Sequence, residues 1–251
     1  MYKKKRVLVI DGDILAYQIA TNNEQPINWG DGLWTLHADE NSCIQQLDAV
    51  IDDLGSGLSG DDYVVALTDK NNFRKDVLST YKSNRKEKRK PIVLGAMREH
   101  IMKKHNGVMW ANLEADDVMG IMATEPTVDE ERILISIDKD MRTIPCNLSQ
   151  DGMTVEQIPE KIANYNFMVQ CIMGDKVDGY SGIDGIGIKT AEKLLLKYTN
   201  CKLADIWKIV KGIYKEKGYT QKEALQQARV AHILRHGEYN KKTGKVKLWT
   251  I

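Results

Sequence analysis

The chain has no run of about 18 apolar residues, the length that a membrane-spanning helix needs. Its basic start, Met1 to Arg6, leads only into the short run Val7 to Ile10, which does not read as a signal peptide. Cysteine is sparse, with Cys43, Cys146, Cys171 and Cys201 far apart and no CxxC pair. That pattern argues against a disulfide framework or a zinc knuckle, and the expectation is a reducing cytoplasm. The five histidines show no metal-like spacing, and no low-complexity linker or internal repeat divides the chain. An excess of either charge is also lacking, at +1 overall.

What is present is enough for a sizeable core. The 251 residues are 42% hydrophobic and 28% charged, which accommodates one large α/β domain or two small ones. The small net charge conceals an asymmetry. Residues 201–251 carry twelve Lys/Arg against four Asp/Glu, a net of +8, so the first 200 residues sum to −7. An enzyme that gathers carboxylates around metal and grips a polyanion with lysines has this distribution, and so does an ordinary solvated surface.

Val7 to Ile10 reads as a buried parallel strand whose C-terminal end opens on Asp11-Gly-Asp13. A helical pattern runs from Cys43 to Leu54, then Tyr63 to Leu67 forms a second strand that ends at Thr68-Asp69. A helix is expected from Pro91 to His105, a short strand from Val108 to Trp110, and a helix from Glu114 to Ala123. Arg132 to Ile137 is a third clear strand, before Asp138-Lys-Asp140, and from about Tyr165 the pattern is mostly helical. Met97, Met102, Met119, Met122, Met168 and Met173 fall at helical spacing and are expected in the core. Trp29 and Trp34 lie in a loop, and core packing is the expectation for them too. Strand–helix alternation over the first 150 residues predicts an α/β fold with a mainly parallel central sheet flanked by helices.

The carboxylates are the main signal. They stand at Asp11 and Asp13, at Asp69, in Glu114-Ala-Asp116-Asp117, at Asp138 and Asp140, and at Asp175 and Asp178. Most follow an apolar strand or open a helix, so the fold brings them to one sheet edge. Asp138 and Asp140 are two apart and point the same way if strand geometry persists. Asp175 and Asp178, like Glu114 and Asp117, share a helix face. Singly, such acids are commonly turn residues or helix caps. Together they would repel and raise one another's pKa unless cations neutralised them. Oxygen donors without His or Cys point to Mg²⁺ or Mn²⁺, and two ions about 4 Å apart suit in-line attack of water on a phosphodiester.

Two further segments fit a phosphate ligand. In Gly182-Ile-Asp-Gly185-Ile-Gly187-Ile-Lys-Thr190-Ala191, glycines expose backbone N–H groups before a helix bearing Lys189, Lys193 and Lys197. Gly185, Gly187, Lys189, Thr190 and Lys193 are the candidate DNA contacts, in a string typical of a helix–hairpin–helix. Six of the nine residues from Lys82 to Lys90 are basic, a run that is usually a solvated loop. Its place after the Asp69 strand end instead suits a cationic segment facing scissile phosphates.

Together these residues resemble the 5′-nuclease superfamily, the flap endonucleases and 5′→3′ exonucleases of bacteriophages and of bacterial DNA polymerase I. The resemblance runs in order through Asp11; Asp69 with Phe73-Arg74 and Tyr81-Lys82-x-x-Arg85; Glu114-Ala-Asp-Asp117; Ser136-Ile-Asp138-Lys-Asp140; Ile172-Met-Gly-Asp175 to Asp178; and Gly185-Ile-Gly187. The size and the lack of a polymerase region look like a stand-alone phage enzyme. The resemblance implies a PIN-like catalytic domain, taken as residues 1–160, with a helical clamp or arch over the site. It implies a helical DNA-binding region over 161–251 with a helix–three-turn–helix motif, in some members with bound K⁺. The implied metal ligands are Asp11, Asp69, Glu114, Asp116, Asp117, Asp138, Asp140, Asp175 and Asp178. Lys82 and Arg85 would stabilise developing charge, and Arg74 would help position the strand.

The implied partner is DNA with a 5′ end, nick or flap, with RNA–DNA hybrids a further expectation, acted on by a monomer away from membranes in a host cytoplasm. Three departures stand out. Asp13 is an extra acid of open role, Gln170 replaces a lysine of many phage relatives, and the Arg85–Glu114 interval is short for a full arch. Two rival readings remain at this stage. Asp11-Gly-Asp13 could serve a haloacid-dehalogenase-type phosphatase, and the hairpin alone could serve a non-enzymatic DNA-binding protein.

Overall fold

In the computed structural model, which describes residues 3–85 and 88–251, the apolar run after Arg6 becomes the central strand of a six-stranded sheet. In chain order the first half contains β1 (Lys5–Asp11), α1 (Gly12–Asn22), β2 (Gln25–Asn28), β3 (Trp34–His37), α2 (Glu40–Gly57), β4 (Asp62–Ala66), α3 (Arg74–Val77), α4 (Leu94–Lys104), β5 (Gly107–Val108) and α5 (Ala115–Thr124). Then come β6 (Glu130–Ile135), β7 (Cys146–Ser149), β8 (Glu156–Ile158), α6 (Glu160–Met173), α7 (Ile188–Leu195), α8 (Leu203–Glu216), α9 (Gln221–Ala231), β9 (Tyr239–Asn240) and β10 (Lys245–Val246).

The sheet order is β5-β4-β1-β6-β7-β8, parallel except for the β7–β8 pair. Register pairs Ile10 with Val65 on one side and with Ile135 on the other, so β1, β4 and β6 end at the same edge. Side-chain alternation divides the core. Leu8, Ile10, Val65, Leu67 and Ile133 pack with α1, α2 and α4 on one face, while Val9, Ala66, Leu134 and Leu148 pack with α5 on the other. Ile233 and Leu234 join that second face, so the chain returns to the sheet after α9.

A separate apolar cluster joins α6, α7, α8 and α9 around Phe167, Ile206, Trp207 and Tyr214, closed by Trp249. Trp249 meets Trp207 and Phe167 edge-on, with ring centroids 5.0 and 5.2 Å apart. No helix among the described residues is long and apolar enough to cross a membrane.

Some local expectations change. Residues 25–37 form the β2–β3 hairpin, and Trp29 and Trp34 are 64% and 58% exposed on it, not in the core. Met97, Met119 and Met168 are fully buried as expected, whereas Met102 faces out at 43%. Among the described residues, the interval between Arg85 and Glu114 holds one helix, α4.

Candidate active site

Parallel strands put their C-terminal ends at one sheet edge, and a ligand site forms there when polar residues follow the apolar runs. Here an open cleft of about 760 Å³ is lined by Asp11, Asp13, Asp69, Lys82, Arg85, Glu114, Asp116 and Asp138. Asp11 ends β1 and caps α1, accepting from the Ile14 N–H at 3.1 Å and from the Ser136 hydroxyl at 2.9 Å. Asp138 lies just beyond β6 and accepts from the Asp140 N–H at 2.8 Å. Glu114 caps α5, which puts Asp116 and Asp117 in its first turn.

Burial pushes Asp11 up to about 6, with neighbouring Asp138 adding to the rise against the two hydrogen bonds. Burial also pushes Asp116 well above the carboxylate range, and Asp11 and Glu114 add to it. Asp140 rises to about 6, chiefly through burial and then through Asp138 and Asp175. Asp178 rises through burial, although Lys82 and Arg85 both pair with it. These mutual effects tie Asp11, Glu114, Asp116, Asp138, Asp140, Asp175 and Asp178 into one electrostatic unit.

Glu114 behaves differently. Burial would raise it, but the Lys82 and Arg74 charges and hydrogen bonds from Lys82 and Tyr81 outweigh that and hold it at about 2. The Tyr81 hydroxyl donates to its Oε2 at 2.6 Å. Lys82 is the internal counter-ion, paired with Glu114 and 3.4 Å from Asp178, and those acids hold its pKa above the usual value against burial. It adopts φ +50°, and its N–H donates to the Asp178 carbonyl at 2.7 Å, which fixes the ammonium over the acids. Arg89, in the same basic segment, turns away to grip Glu24 through both terminal nitrogens. Lys86 lies outside the described residues.

Arg74 and Asp117 overturn two expectations. The Arg74 guanidinium is buried and meets both Asp117 oxygens, at 2.6 and 2.8 Å, while also donating to the Val230 and His232 carbonyls. Asp117 accepts as well from the Leu234 and Glu114 N–H groups. A guanidinium enclosed in this way cannot reach a DNA strand, and a carboxylate with both oxygens so occupied offers no metal a ligand. Their work is to lock α5 to the segment after α9.

Asp69 lines the cleft, but its Oδ2 accepts from the Asn112 N–H at 2.8 Å, a bond that lowers its pKa and ties the loop after β4 to the start of α5. Asp13 is paired with Arg98 and accepts from the Thr68 N–H, so it braces the same loop and is not a free acid as a phosphatase would need. Gln170 Nε2 donates to Asp140 at 2.7 Å, and the nearby cation is Lys139, 3.8 Å from Asp175. The sequence alone assigns no role to Arg98, to Lys139 or to Tyr180, whose hydroxyl accepts from Gln170 Nε2 at 2.9 Å, because their types are too common to signal a site. Tyr81 was visible only through its place in Tyr-Lys-x-x-Arg.

The glycine-rich segment leads from α6 into α7. Gly185 has φ +78°, which favours glycine, whereas Gly187 caps α7 in extended backbone with open space where a Cβ would be. Lys189, Thr190 and Lys193 are exposed on α7, and Lys197 falls beyond its end in the turn Leu196–Tyr198.

Known proteins resemble this chain in sequence and in fold. The exodeoxyribonuclease of Enterobacteria phage T3 is 30% identical over 98% of this chain and 93% of its own length. The exonuclease of Escherichia phage T7 is 31% identical over the same shares. Among solved structures, the T5 D15 protein co-crystallized with metal ions shares the fold, with a TM-score of 0.66 and 17% identity over 90% of this chain and 89% of that one. The T5 D15 flap endonuclease in a complex with DNA and metal ions gives 0.64 at 17% identity, over 90% and 88%. Residues 6–166 match the family described as 5′-3′ exonuclease, N-terminal resolvase-like domain. With the acidic cleft at the strand ends inside that matched region, the chain belongs to the 5′-3′ exonuclease family of nucleases.

Proposed function

We propose that the cleft hydrolyses phosphodiesters near the 5′ ends of duplex, nicked or flapped DNA, and of RNA in RNA–DNA hybrids, with divalent cations. The observation that carries this reading is the convergence of carboxylates from separate segments: Asp11, Asp69, Glu114, Asp116 and Asp138 line one cleft, Asp140, Asp175 and Asp178 are coupled to them electrostatically, and Lys82 and Arg85 pair with acids of this group. The donor set fits Mg²⁺, with Mn²⁺ as a substitute, because every candidate ligand atom is a hard oxygen. Asp11, Asp116 and Asp140 are held up by burial and by neighbouring carboxylates, Asp138 acting on all three, a cost that a cation would remove. Asp11, Glu114, Asp116, Asp138, Asp140, Asp175 and Asp178 would hold two or more ions, with Asp69 at the rim. Such ions supply Lewis-acid stabilisation of a phosphoryl group and lower the pKa of attacking water.

The protein's own groups do the rest. Tyr81 fixes Glu114, and Lys82 and Arg85 stand where charge would develop on the phosphate. Residues 161–251 would hold the duplex, through Gly185, Gly187, Lys189, Thr190 and Lys193 as a helix–three-turn–helix, with K⁺ bound there. The test is digestion of end-labelled duplex, nicked and flapped DNA in Mg²⁺, Mn²⁺ or EDTA. Cleavage confined to the metal lanes and starting at the 5′ end is expected, and cleavage in EDTA or from the 3′ end would overturn the reading. Lys82→Ala and Arg85→Ala should each cut the saturating single-turnover rate by about 10²–10³ even at low salt. A loss below about threefold would return both to a solvated segment.

A further inference from the structure

On the side of the sheet covered by α2 and α4, three side chains converge that sequence spacing gave no reason to group. Asp48 Oδ1 lies 2.7 Å from His100 Nε2 and 2.7 Å from His105 Nε2. The three candidate ligand atoms all lie within 4.8 Å of one another. His105 Nδ1 meets the Tyr63 hydroxyl at 3.0 Å, so that ring is held at both nitrogens. The two histidines are five residues apart. They meet because α4 stops at Lys104 and His105 follows as its C-cap, with φ −122° and ψ 38°. Both imidazoles are mostly enclosed, while the Asp48 side chain is 42% exposed and leaves one side open to water.

We propose that Asp48, His100 and His105 bind a borderline divalent cation of the zinc class, at a site separate from the acidic cleft. Two imidazole nitrogens and one carboxylate oxygen with a position open to water suit Zn²⁺ or Co²⁺, and suit Mg²⁺ poorly. Little movement is needed. Ligand atoms about 2.0–2.2 Å from a tetrahedral zinc stand roughly 3.3 Å apart, so each nitrogen–oxygen pair opens by roughly half an ångström.

The protons can be accounted for. With both rings neutral, the ion-free pairing is met when each ring donates Nε2–H to Asp48 and the Tyr63 hydroxyl donates to His105 Nδ1. With an ion in place each ring carries its proton on Nδ1 and turns the Nε2 lone pair to the metal, with no net proton release. His105 then donates Nδ1–H to the Tyr63 oxygen, the outer contact that fixes a ligand's tautomer in zinc sites. The ion would pin α2 and the end of α4 to the start of β4. Arg98, seven residues earlier on α4 and roughly 10 Å along its axis, is the residue paired with Asp13 in the cleft.

The experiment takes the full chain, stripped with chelator, and titrates Zn²⁺ against it in millimolar Mg²⁺ so that the acidic cleft is already filled. One Zn²⁺ per chain and a raised Tm are expected. His100→Ala should lose both the ion and the gain in Tm while keeping its circular dichroism and its Mg²⁺-dependent cleavage. Tyr63→Phe should keep the site but weaken it about 10- to 100-fold. Equal Zn²⁺ binding by the parent and His100→Ala would mean that the ions sit in the cleft, and would overturn the proposal. So would no Zn²⁺ retained by the parent, which would leave the three residues as a hydrogen-bonded group only.

Discussion

Asp117 and Asp138 are the same residue type in neighbouring parts of one site, and their surroundings divide their roles. Asp117 faces a buried guanidinium, and breaking such a pair costs about 3–5 kcal/mol because the partner charge is left unpaired. Asp117→Asn should therefore lower unfolding stability by that much in denaturant titrations while leaving Mn²⁺ affinity close to the parent's. Asp138→Ala should do the reverse. It should cut turnover by several orders of magnitude, with DNA binding in EDTA intact, since removing negative charge cannot weaken phosphate attraction. Equal loss of Mn²⁺ affinity in the two variants would make Asp117 a ligand after all. Most of the acids were legible in the sequence because they follow an apolar run that had to be a strand or open a helix; Asp175 and Asp178, expected on a helix face, stand instead in the turn after α6. The Arg74–Asp117 pair was not, because its partners are 43 residues apart and burial is a tertiary property.

Asp11 gives a pH signature at the same scale. Its folded pKa of about 6 lies above the 3.8 ordinary for an aspartate, so the folded state binds more protons between those limits. Stability must then fall as pH rises through that window and stay reduced above it. Asp11→Asn keeps the acceptor that caps α1 and removes the charge. In EDTA its Tm should exceed the parent's near neutrality and converge with it below about pH 4. Added Mg²⁺ should reverse the order, because the parent holds the ions with one carboxylate more and so gains more from binding. Calorimetry that found the parent more stable in EDTA near neutrality would contradict the burial cost assigned to this residue.

Among the elements, β1, β4 and β6 were readable as apolar runs, whereas α1, the β2–β3 hairpin, β7 and β8 were not. The buried face of α1 is Gly12, Ala16, Ile19 and Ala20, three of them too small to mark a stripe. β7 is four residues long with a single apolar aliphatic, Leu148, held in place by its neighbours. The glycine segment separates two element-level roles. At Gly182 the backbone has φ +61° and a Cβ would lie 2.4 Å from the Gly174 nitrogen, so Gly182→Ala should cost about 1–3 kcal/mol or more. At Gly187 the backbone is extended and the space is open, so Gly187→Val should change stability by no more than about 0.5 kcal/mol. It should weaken duplex affinity instead, by adding bulk where amides would meet phosphate. Unchanged affinity would make the segment a structural turn only.

For the whole molecule, the helical layer depends on a residue near its far end. Trp249 packs edge-on between Trp207 and Phe167, and its carbonyl accepts from Arg229. Trp249→Ala should cost about 3–5 kcal/mol in thermal or denaturant unfolding. A loss below about 1 kcal/mol would show that α6 and α8 close without it.

The ties from Arg74 and Asp117 to residues 230–234 also bear on synthesis. Asp117 leaves the ribosome's catalytic centre 117 residues before Leu234, an interval of roughly 6–23 s at about 5–20 residues per second. Throughout it, the helix that carries Glu114 and Asp116 lacks the carbonyls and the amide that complete its anchor. A nascent chain halted before residue 230 should thus be catalytically silent, and cutting activity should begin abruptly, late in translation.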